Sequence, residues 1–420
     1  PDRPRPPRPL PDTLKTPASP MATDTKTRTF PRGGVHPADG KARTSGMPLA
    51  ASDPPAEVAV LMAQHIGAPA APVVDKKDRV RKGQIVGQAR GFVSANAHAP
   101  VSGTVRAVEN RIFSVTGARV PAVIIESDGE ERWADGLNEP QDVEAMDAKR
   151  MVELVQECGI VGLGGATFPA HVKLSPPPDM PVTDVFINGT ECEPFVTVDH
   201  RLMIERTEDI IDGLRLIMRI VGASNGYVGI ELNKPDAVEA FERALAGDPD
   251  LRVVPLRVKY PQGAEQQLIT AVTGREVPSQ GGLPGDVGCL VHNVATAIAI
   301  RDAVRFRRPL IERPVTVTGD GVENAGNFIE RIGTNVGDIV CRQGLREDAN
   351  QVILGGPMMG LAQGTLDVPL IKGNGCILVR RAVSVPPQRD CIRCGRCVQH
   401  CPLGLMPGEM SIAMERHDWD

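Results

Sequence analysis

The chain has 420 residues, 41% hydrophobic and 24% charged, a water-soluble composition with room for about three domains of roughly 150 residues each. A formal charge of −5 excludes the dense positive field that nucleic-acid binding needs. The longest apolar run, CLVHNVATAIAI at 289–300, carries His292 and Asn293 and falls short of the roughly 20 residues that cross a bilayer.

Residues 1–28 read as a disordered arm. Eight of the first twenty residues are proline, apolar periodicity is absent, and no apolar stretch before Met21 resembles a secretory leader, so a cytosolic face is expected. Order is expected from TFPRGGVHP at 29–37, where two glycines and two prolines impose defined turns. Residues 29–141 then form an N-terminal β module of short strands split by Gly and Pro. Within it, DKKDRVRKGQIVGQ and AHAPVSGTVRAVENRIFSV resemble the barrel-sandwich fold of biotinyl and lipoyl carriers. Those carriers place a modified Lys where this chain has Phe92, so the module reads as structural.

Residues 142–312 alternate helix and strand. AKRMVELVQEC is a helix stopped by Gly159, and VTDVFING, NGYVGIEL and LRVVPLRVKYP are strands separated by the helices ERTEDIIDGLRLIMRIVGA and PDAVEAFERALAG. Strands separated by helices of this length predict βαβ units in a parallel sheet, a doubly wound α/β core. Residues 313–382 return to β pattern in RPVTVTGDGV, GDIVCRQG and QVILGG, with one short helix expected around NFIERIG. This stretch resembles a β-grasp module of the SLBB type. The predicted fold class is thus multidomain α/β.

Nine cysteines divide into five scattered ones (Cys158, Cys192, Cys289, Cys341, Cys376) and a cluster, which excludes a disulfide framework. In residues 383–420, CIRCGRCVQHCP sets Cys391, Cys394, Cys397 and Cys401 as C-x2-C-x2-C-x3-C followed by Pro402. That is the spacing of ferredoxin-type [4Fe–4S] ligation, whereas zinc sites prefer paired C-x2-C modules around a longer loop. In two-cluster ferredoxins the fourth Cys serves the other cluster, so a second motif beyond Asp420 is expected, with a ferredoxin-like segment cut inside its last helix. One cluster held by all four cysteines is the rival. Arg393 and Arg396 offset cluster charge or simply solvate the loop.

Two polar motifs mark a ligand site in the α/β core. GIVGLGGATFPAHVKL carries Gly159, Gly162, Gly164 and Gly165, with Pro169 expected as the first residue of a helix whose N-terminus suits a phosphate. It is not the dinucleotide fingerprint, whose third Gly would fall at Thr167. INGTECEP puts Asn188, Glu191 and Glu193 after a strand, where open α/β sheets bind ligands. KYPQGAEQQLI adds Tyr260, Gly263 and Glu265, and CLVHNVATA adds His292 and Asn293.

FPRGGVHP, GLGGATFPAHVKL, INGTECEP, YPQGAEQQL, GLPGDVGCLVHNVAT and the cysteine motif, in that order, resemble the RnfC family, the C subunits of the ion-translocating NAD–ferredoxin oxidoreductases known as Rnf complexes. The central domain is similar to the flavin subunit of respiratory complex I. The resemblance implies FMN held by Gly162, Gly164, Gly165 and Lys173 and surrounded by Asn188, Glu191, Tyr260, Gly263, His292 and Asn293. It implies NADH contacts from Phe168, Glu193 and Glu265. It also implies [4Fe–4S] ligation by the four clustered cysteines and no catalytic acid or base. Where complex I has an Arg, an Asp and a paired Glu, this chain has Leu163, Thr190 and Ala264. The implied partners are the other subunits of a membrane complex, notably an iron–sulfur subunit, and ferredoxin through them, with the chain peripheral on the cytoplasmic side of the inner membrane. Such complexes serve nitrogen fixation or run in reverse. The alternatives are a soluble flavin iron–sulfur reductase such as a cobalamin reductase, and a non-catalytic scaffold. The A subunit of the sodium-pumping quinone reductase shares the N-terminal modules but carries no ferredoxin motif.

Overall fold

The computed structural model describes residues 27–279, 281–381, 383, 387 and 389–417. The expected arm therefore lies largely outside the described residues. Its last position is ordered: the Arg28 amide donates to Pro255 O and its carbonyl accepts from the Arg257 amide, so Arg28 pairs beside strand Leu251–Leu256.

The N-terminal β module is built from two small sheets. One is antiparallel, in the order Glu57–Leu61, Arg119–Ser127, Gly103–Ile112, Arg79–Val80; the other joins Ala71–Pro72, Ile85–Gln88 and Ala97–His98. Alternation sends Val58, Val60, Val123 and Ile125 into the module's own core with Val86 and Val101. The opposite face, Leu61, Ala122 and Ile124, packs on Ile371 of a later module. This explains why Ala122, Val123, Ile124 and Ile125 are all buried: both faces of that strand are covered.

In the central region Asp147 accepts from the Arg150 amide (2.8 Å) and caps helix Ala148–Glu157, whose Met151, Leu154 and Val155 face the core at helical spacing. The chain then turns at Gly159, φ 63°. Four parallel strands follow in the spatial order Leu251–Leu256, Asn225–Glu231, Asp184–Gly189, Cys289–Asn293. Val185 and Ile187 face a core shared with helices Ala148–Glu157, Thr207–Val221, Pro235–Ala244 and Val294–Phe306. Phe186 and Val291 face helix Glu265–Thr273 on the other side. Numbered along the chain, the order is 3-2-1-4, so it reverses between Asp184–Gly189 and Cys289–Asn293.

The third sheet is mixed, in the order Leu49–Ala51, Gly326–Arg331, Glu312–Thr318, Cys376–Arg381, Ala349–Leu354, Leu361–Ala362. Its two middle strands, Glu312–Thr318 and Cys376–Arg381, run parallel, and Gly326–Arg331 and Ala349–Leu354 pair antiparallel to them. Two expectations are corrected here. NFIERIG, expected as a helix, supplies strand Gly326–Arg331, and GDIVCRQG, expected as a strand, supplies helix Val336–Arg342. The Asn335 side chain accepts from the Gly337 amide (2.8 Å) and starts that helix, whose Val336, Ile339 and Val340 are buried together. Leu49–Ala51 reaches this sheet from the N-terminal region and pairs parallel with residues 327–329.

The cysteine segment carries two short helices, Arg396–His400 and Pro407–Arg416. The second, expected to lack a C-cap, is closed by His417 in the left-handed conformation. No helix among the described residues is long and apolar enough to cross a membrane.

Candidate functional site

Open parallel sheets bind ligands in the crevice outside the carboxyl ends of their strands, at an order reversal. Here those ends carry Asn188 and Asn293, opposite each other in the register, and the helices that follow the two strands, Thr207–Val221 and Val294–Phe306, pack together on one face of the sheet. Asn188 Nδ2 donates to Gly263 O (2.8 Å), and its Oδ1 accepts from the Thr190 hydroxyl (2.7 Å). Asn293 Oδ1 accepts from the Ala295 amide (2.9 Å), capping helix Val294–Phe306, while its Nδ2 donates to Asp199 Oδ2 (2.6 Å). Gly263 is required by crowding, because a Cβ there would collide with the Thr190 hydroxyl; its amide donates to Cys192 Sγ (3.4 Å). Burial, with Glu193 and Cys192 nearby, pushes the Tyr260 phenol up to about 12.

The glycine loop closes on itself at the mouth of this crevice. The Gly162 amide donates to Phe168 O (2.9 Å) and the Ala170 amide to Ile160 O (3.0 Å). Gly165 (φ 113°) and Thr167 (φ 52°) make the turn, and Gly164, Gly165 and Ala166 are exposed. A Cβ at Gly165 would meet nothing within 4 Å, whereas one at Gly164 would press on Asn293 Cβ (3.3 Å). The expected helix is corrected to a single turn, Ala170–Lys173, with Pro169 as its cap residue. Pro176, Pro177 and Pro178 lack the amides that would continue it. An anion at this loop would thus meet exposed backbone rather than the dipole of a long helix. Lys173 Nζ donates to Val291 O (2.8 Å) and Glu265 Oε1 (2.6 Å), which fixes it at the middle of strand Cys289–Asn293.

The acidic segment is more heavily internalised than its sequence suggests. Glu191, at φ 44°, accepts from the Asp199 amide through Oε1 (2.6 Å), and its buried Oε2 has no hydrogen bond and lies 3.6 Å from Lys41 Nζ. Lys41 also donates to the carbonyls of Glu191, Glu193 and Val196. Glu193, expected at a nucleotide ribose, instead accepts from the Met358 and Met359 amides (2.7 and 3.1 Å). Glu265, the other carboxylate expected there, is the partner of Lys173. His292 is fully buried with Nε2 unpartnered; burial, then Lys173, hold its pKa well below the usual imidazole value. The structure therefore gathers Gly164, Lys173, Asn188, Gly263, Glu265, His292 and Asn293 at the switch point, and ties Glu193 to the third module.

Sequence reading misses four charged groups behind the crevice. Burial and the neighbouring Glu191 raise Asp199 to about 7. Arg313, lowered to about 10 by burial, points from the third sheet to Leu163 O (3.4 Å). Lys234, lowered to about 8 by burial and Lys41, donates to Thr190 O (2.6 Å). Lys41 is the fourth. Asp199 has a signal, an acid in the first turn of helix Val198–Glu205; the three cations, contributed from distant segments, have none.

Cys391, Cys394 and Cys397 are exposed and Cys401 is partly buried. The sulfurs of Cys397 and Cys391 lie 3.4 and 3.7 Å from where a Cβ on Gly408 would sit, so Gly408 keeps the space between them open. Among the described residues no three Cys, His, Asp or Glu side chains stand close enough for one metal ion. Their spacing along the sequence, C-x2-C-x2-C-x3-C, is the one used for [4Fe–4S] ligation.

A switch-point crevice with a glycine loop, on a chain that also carries a clustered-cysteine segment, defines a modular redox protein. Residues 155–302 match the family described as the Nuo51 FMN-binding domain, and residues 29–130 match the RnfC barrel sandwich hybrid domain. The chain is 45% identical over 385 residues to the C subunit of the proton-translocating ferredoxin:NAD(+) oxidoreductase complex of Clostridium ljungdahlii, covering 91% of this chain and 83% of that one. It is 44% identical to the Na(+)-translocating counterpart of Acetobacterium woodii (93% and 88% covered). It is 42% identical to the C subunit of the ion-translocating oxidoreductase complex of Rhodobacter capsulatus (92% and 75%). A solved NAD+-reducing [NiFe]-hydrogenase aligns at TM-score 0.48 with 22% identity, covering 58% of this chain and 48% of that one, a likeness too slight to bear on fold or function. The chain belongs to the RnfC family, which sets the cobalamin-reductase and scaffold alternatives aside.

Proposed function

We propose that this chain is the NADH- and FMN-binding subunit through which an Rnf-type complex exchanges electrons between NAD(H) and ferredoxin, coupled to ion translocation by its membrane partners. The observation that carries this reading is the crevice at the 3-2-1-4 switch point, lined by the residues that the flavin resemblance singles out. The residues present fit the cofactor: the glycine turn is exposed, the Lys173 ammonium is held at Val291 O and paired with Glu265, and the buried, neutral His292 has an Nε2 without a protein partner. Gly162, Gly164, Gly165 and Lys173 would hold the phosphate. Asn188, Glu191, Tyr260, Gly263, His292 and Asn293 would surround the ring. Bound FMN supplies the chemistry that side chains lack, accepting two electrons as a hydride and releasing them singly.

The protein's contribution is orientation and charge. Asn188 and Asn293 are locked by their own hydrogen bonds, so the crevice walls are set before a ligand arrives. Phe168, half-buried at the base of the loop, would stack against the nucleotide. Glu193 and Glu265 would meet NADH by exchanging their present partners. Cys391, Cys394 and Cys397 would ligate one [4Fe–4S] cluster and Cys401 a second, with Arg393 and Arg396 offsetting the cluster charge. The third sheet, with two parallel middle strands flanked by antiparallel ones, supports a β-grasp module of the SLBB type, and the cysteine segment a ferredoxin-like one. The proposed boundaries are 29–141, 142–312, 313–382 and 383–420. We place the chain peripherally on the cytoplasmic face, held by another iron–sulfur subunit.

An anaerobic NADH titration of the purified chain, followed optically and paired with FMN, iron and sulfide assays, tests this. Flavin bleaching by stoichiometric NADH is expected. Iron without flavin and without an NADH response would contradict it.

A further inference from the structure

The FPRGGVHP segment is not explained by the crevice or by the cysteine motif, yet it touches both. Phe30 is buried, and Lys259 Nζ stands over its ring (3.7 Å to the centroid) while donating to Phe30 O (2.9 Å). The Thr29 hydroxyl donates to Gln262 Oε1 (2.9 Å). Val35 and Tyr260 exchange two backbone hydrogen bonds, each 2.8 Å, so this end of the segment is fixed to the residue that the flavin resemblance places at the ring. One residue earlier, the Gly34 amide donates to His400 O (2.8 Å), the carbonyl next to Cys401.

The paired glycines are what allow this. Gly33 (φ 68°) has no room for a side chain, since its Cβ would lie 2.7 Å from His400 O and 2.9 Å from the Cys401 carbonyl carbon. Gly34 (φ 91°) would drive a Cβ into the Lys259 side chain. Both also occupy backbone conformations that favour glycine. Arg32 completes the contact, its guanidinium 3.4 Å from where a Cβ on Gly404 would be. The segment is thus pressed between the Lys259–Tyr260 stretch and the His400–Cys401 backbone, with no side chain between them at Gly33 and Gly34.

We infer that residues 30–35 form a positioning strap that fixes the Cys401 end of the iron–sulfur segment against the flavin crevice and so sets the rate at which single electrons pass between them. The inference rests on the proposed function. Each passage oxidises the NADH-reduced flavin by one electron and reduces one oxidised [4Fe–4S] cluster by one. No covalent bond forms or breaks, and the second electron follows when the first has moved to an oxidised iron–sulfur acceptor of the complex.

The test uses the full chain carrying FMN and iron, with Gly33→Val and the milder Arg32→Ala. Stopped-flow mixing with NADH separates flavin bleaching from cluster reduction, and hydrogen exchange reports on residues 396–404 independently of turnover. In Gly33→Val, bleaching and iron content are expected at wild-type levels. Cluster reduction is expected to slow relative to wild type while bleaching does not, with faster exchange in 396–404. Arg32→Ala is expected to show the same pattern more weakly, and it decides the matter if Gly33→Val does not fold. Unchanged cluster reduction in both variants overturns the inference. Loss of iron also overturns it, because the segment would then serve ligation rather than spacing. A wild-type chain that NADH does not bleach defeats the functional reading instead; faster exchange of 396–404 in the variants would still uphold the strap, and unchanged exchange would overturn it.

Discussion

The N-terminal β module and the iron–sulfur segment are both fastened to the rest of the molecule, but by opposite means. The β module is joined to the third module by buried side chains. Leu61, Ala122 and Ile124 pack on Ile371, and beside them the fully buried Lys372 donates to Asn96 O (2.9 Å) of the β module and to Gly159 O (2.7 Å) of the central one. The iron–sulfur segment meets the strap through backbone at Gly33 and Gly34, and Ile392, Leu403, Met406, Met410 and Met414 are exposed. The first joint stores stability, because removing apolar area from water and satisfying buried polar groups both contribute to it. The second stores position, and substitutions there should change electron transfer far more than folding.

The sharpest way to break that contrast is Lys372→Ala. It leaves a cavity and strands two buried carbonyls, at about 1–3 kcal/mol for each unpaired group, so a large fall in the denaturant midpoint is expected, while Lys372→Met recovers the volume but not the hydrogen bonds. Burial lowers the Lys372 ammonium to about 7. Between that value and 10.5 the unfolded chain holds the proton and the folded chain does not, so this residue makes stability rise with pH across that window.

Asp199 gives the opposite sign. Its carboxyl, faced by Glu191, Asn293, Lys41 and Arg313, keeps its proton up to about 7 in the fold against 3.8 when unfolded. Stability should therefore fall as pH rises from about 4 to about 7 and then level off. Asp199→Asn should lose that slope in thermal melts; an unchanged slope would assign it to other groups.

Smaller effects sharpen the comparison. Ile124→Val, deleting one buried methyl at the β-module joint, should cost about 0.5–1.5 kcal/mol in urea melts. Arg32→Ala, at the strap, should stay within about 0.5 kcal/mol of wild type in the same melts even where cluster reduction slows. A reversal of these last two would erase the distinction between the joints.

Legibility in the sequence follows the range of the interactions involved. The parallel strands and the switch-point residues Asn188 and Asn293 are readable because periodicity and strand ends are local signals. The end of helix Ala148–Glu157 is equally plain from Gly159. In the third sheet NFIERIG and GDIVCRQG exchange roles, because each has few apolar residues and the deciding signal is a single cap at Asn335. The glycine loop is legible, but the length of its helix depends on the three prolines at 176–178, which lie beyond the motif. Lys41, Arg313 and Lys372 cannot be read at all: each is buried by segments far away in the chain, and nothing near it in sequence announces that. The present partners of Glu193, the Met358 and Met359 amides, are equally illegible, because they come from another module.

The central claim is that the crevice between strands Asp184–Gly189 and Cys289–Asn293 is the flavin site. The most direct measurement is a fluorescence titration of the flavin-free chain with FMN, comparing wild type with Lys173→Ala and Gly164→Val. Loss of the Lys173 ammonium should weaken binding by about tenfold to a hundredfold, the scale of a charge-assisted hydrogen bond, and Gly164→Val, pressing on Asn293, should weaken it as well. Wild-type affinity in both variants would place the flavin elsewhere and contradict the account.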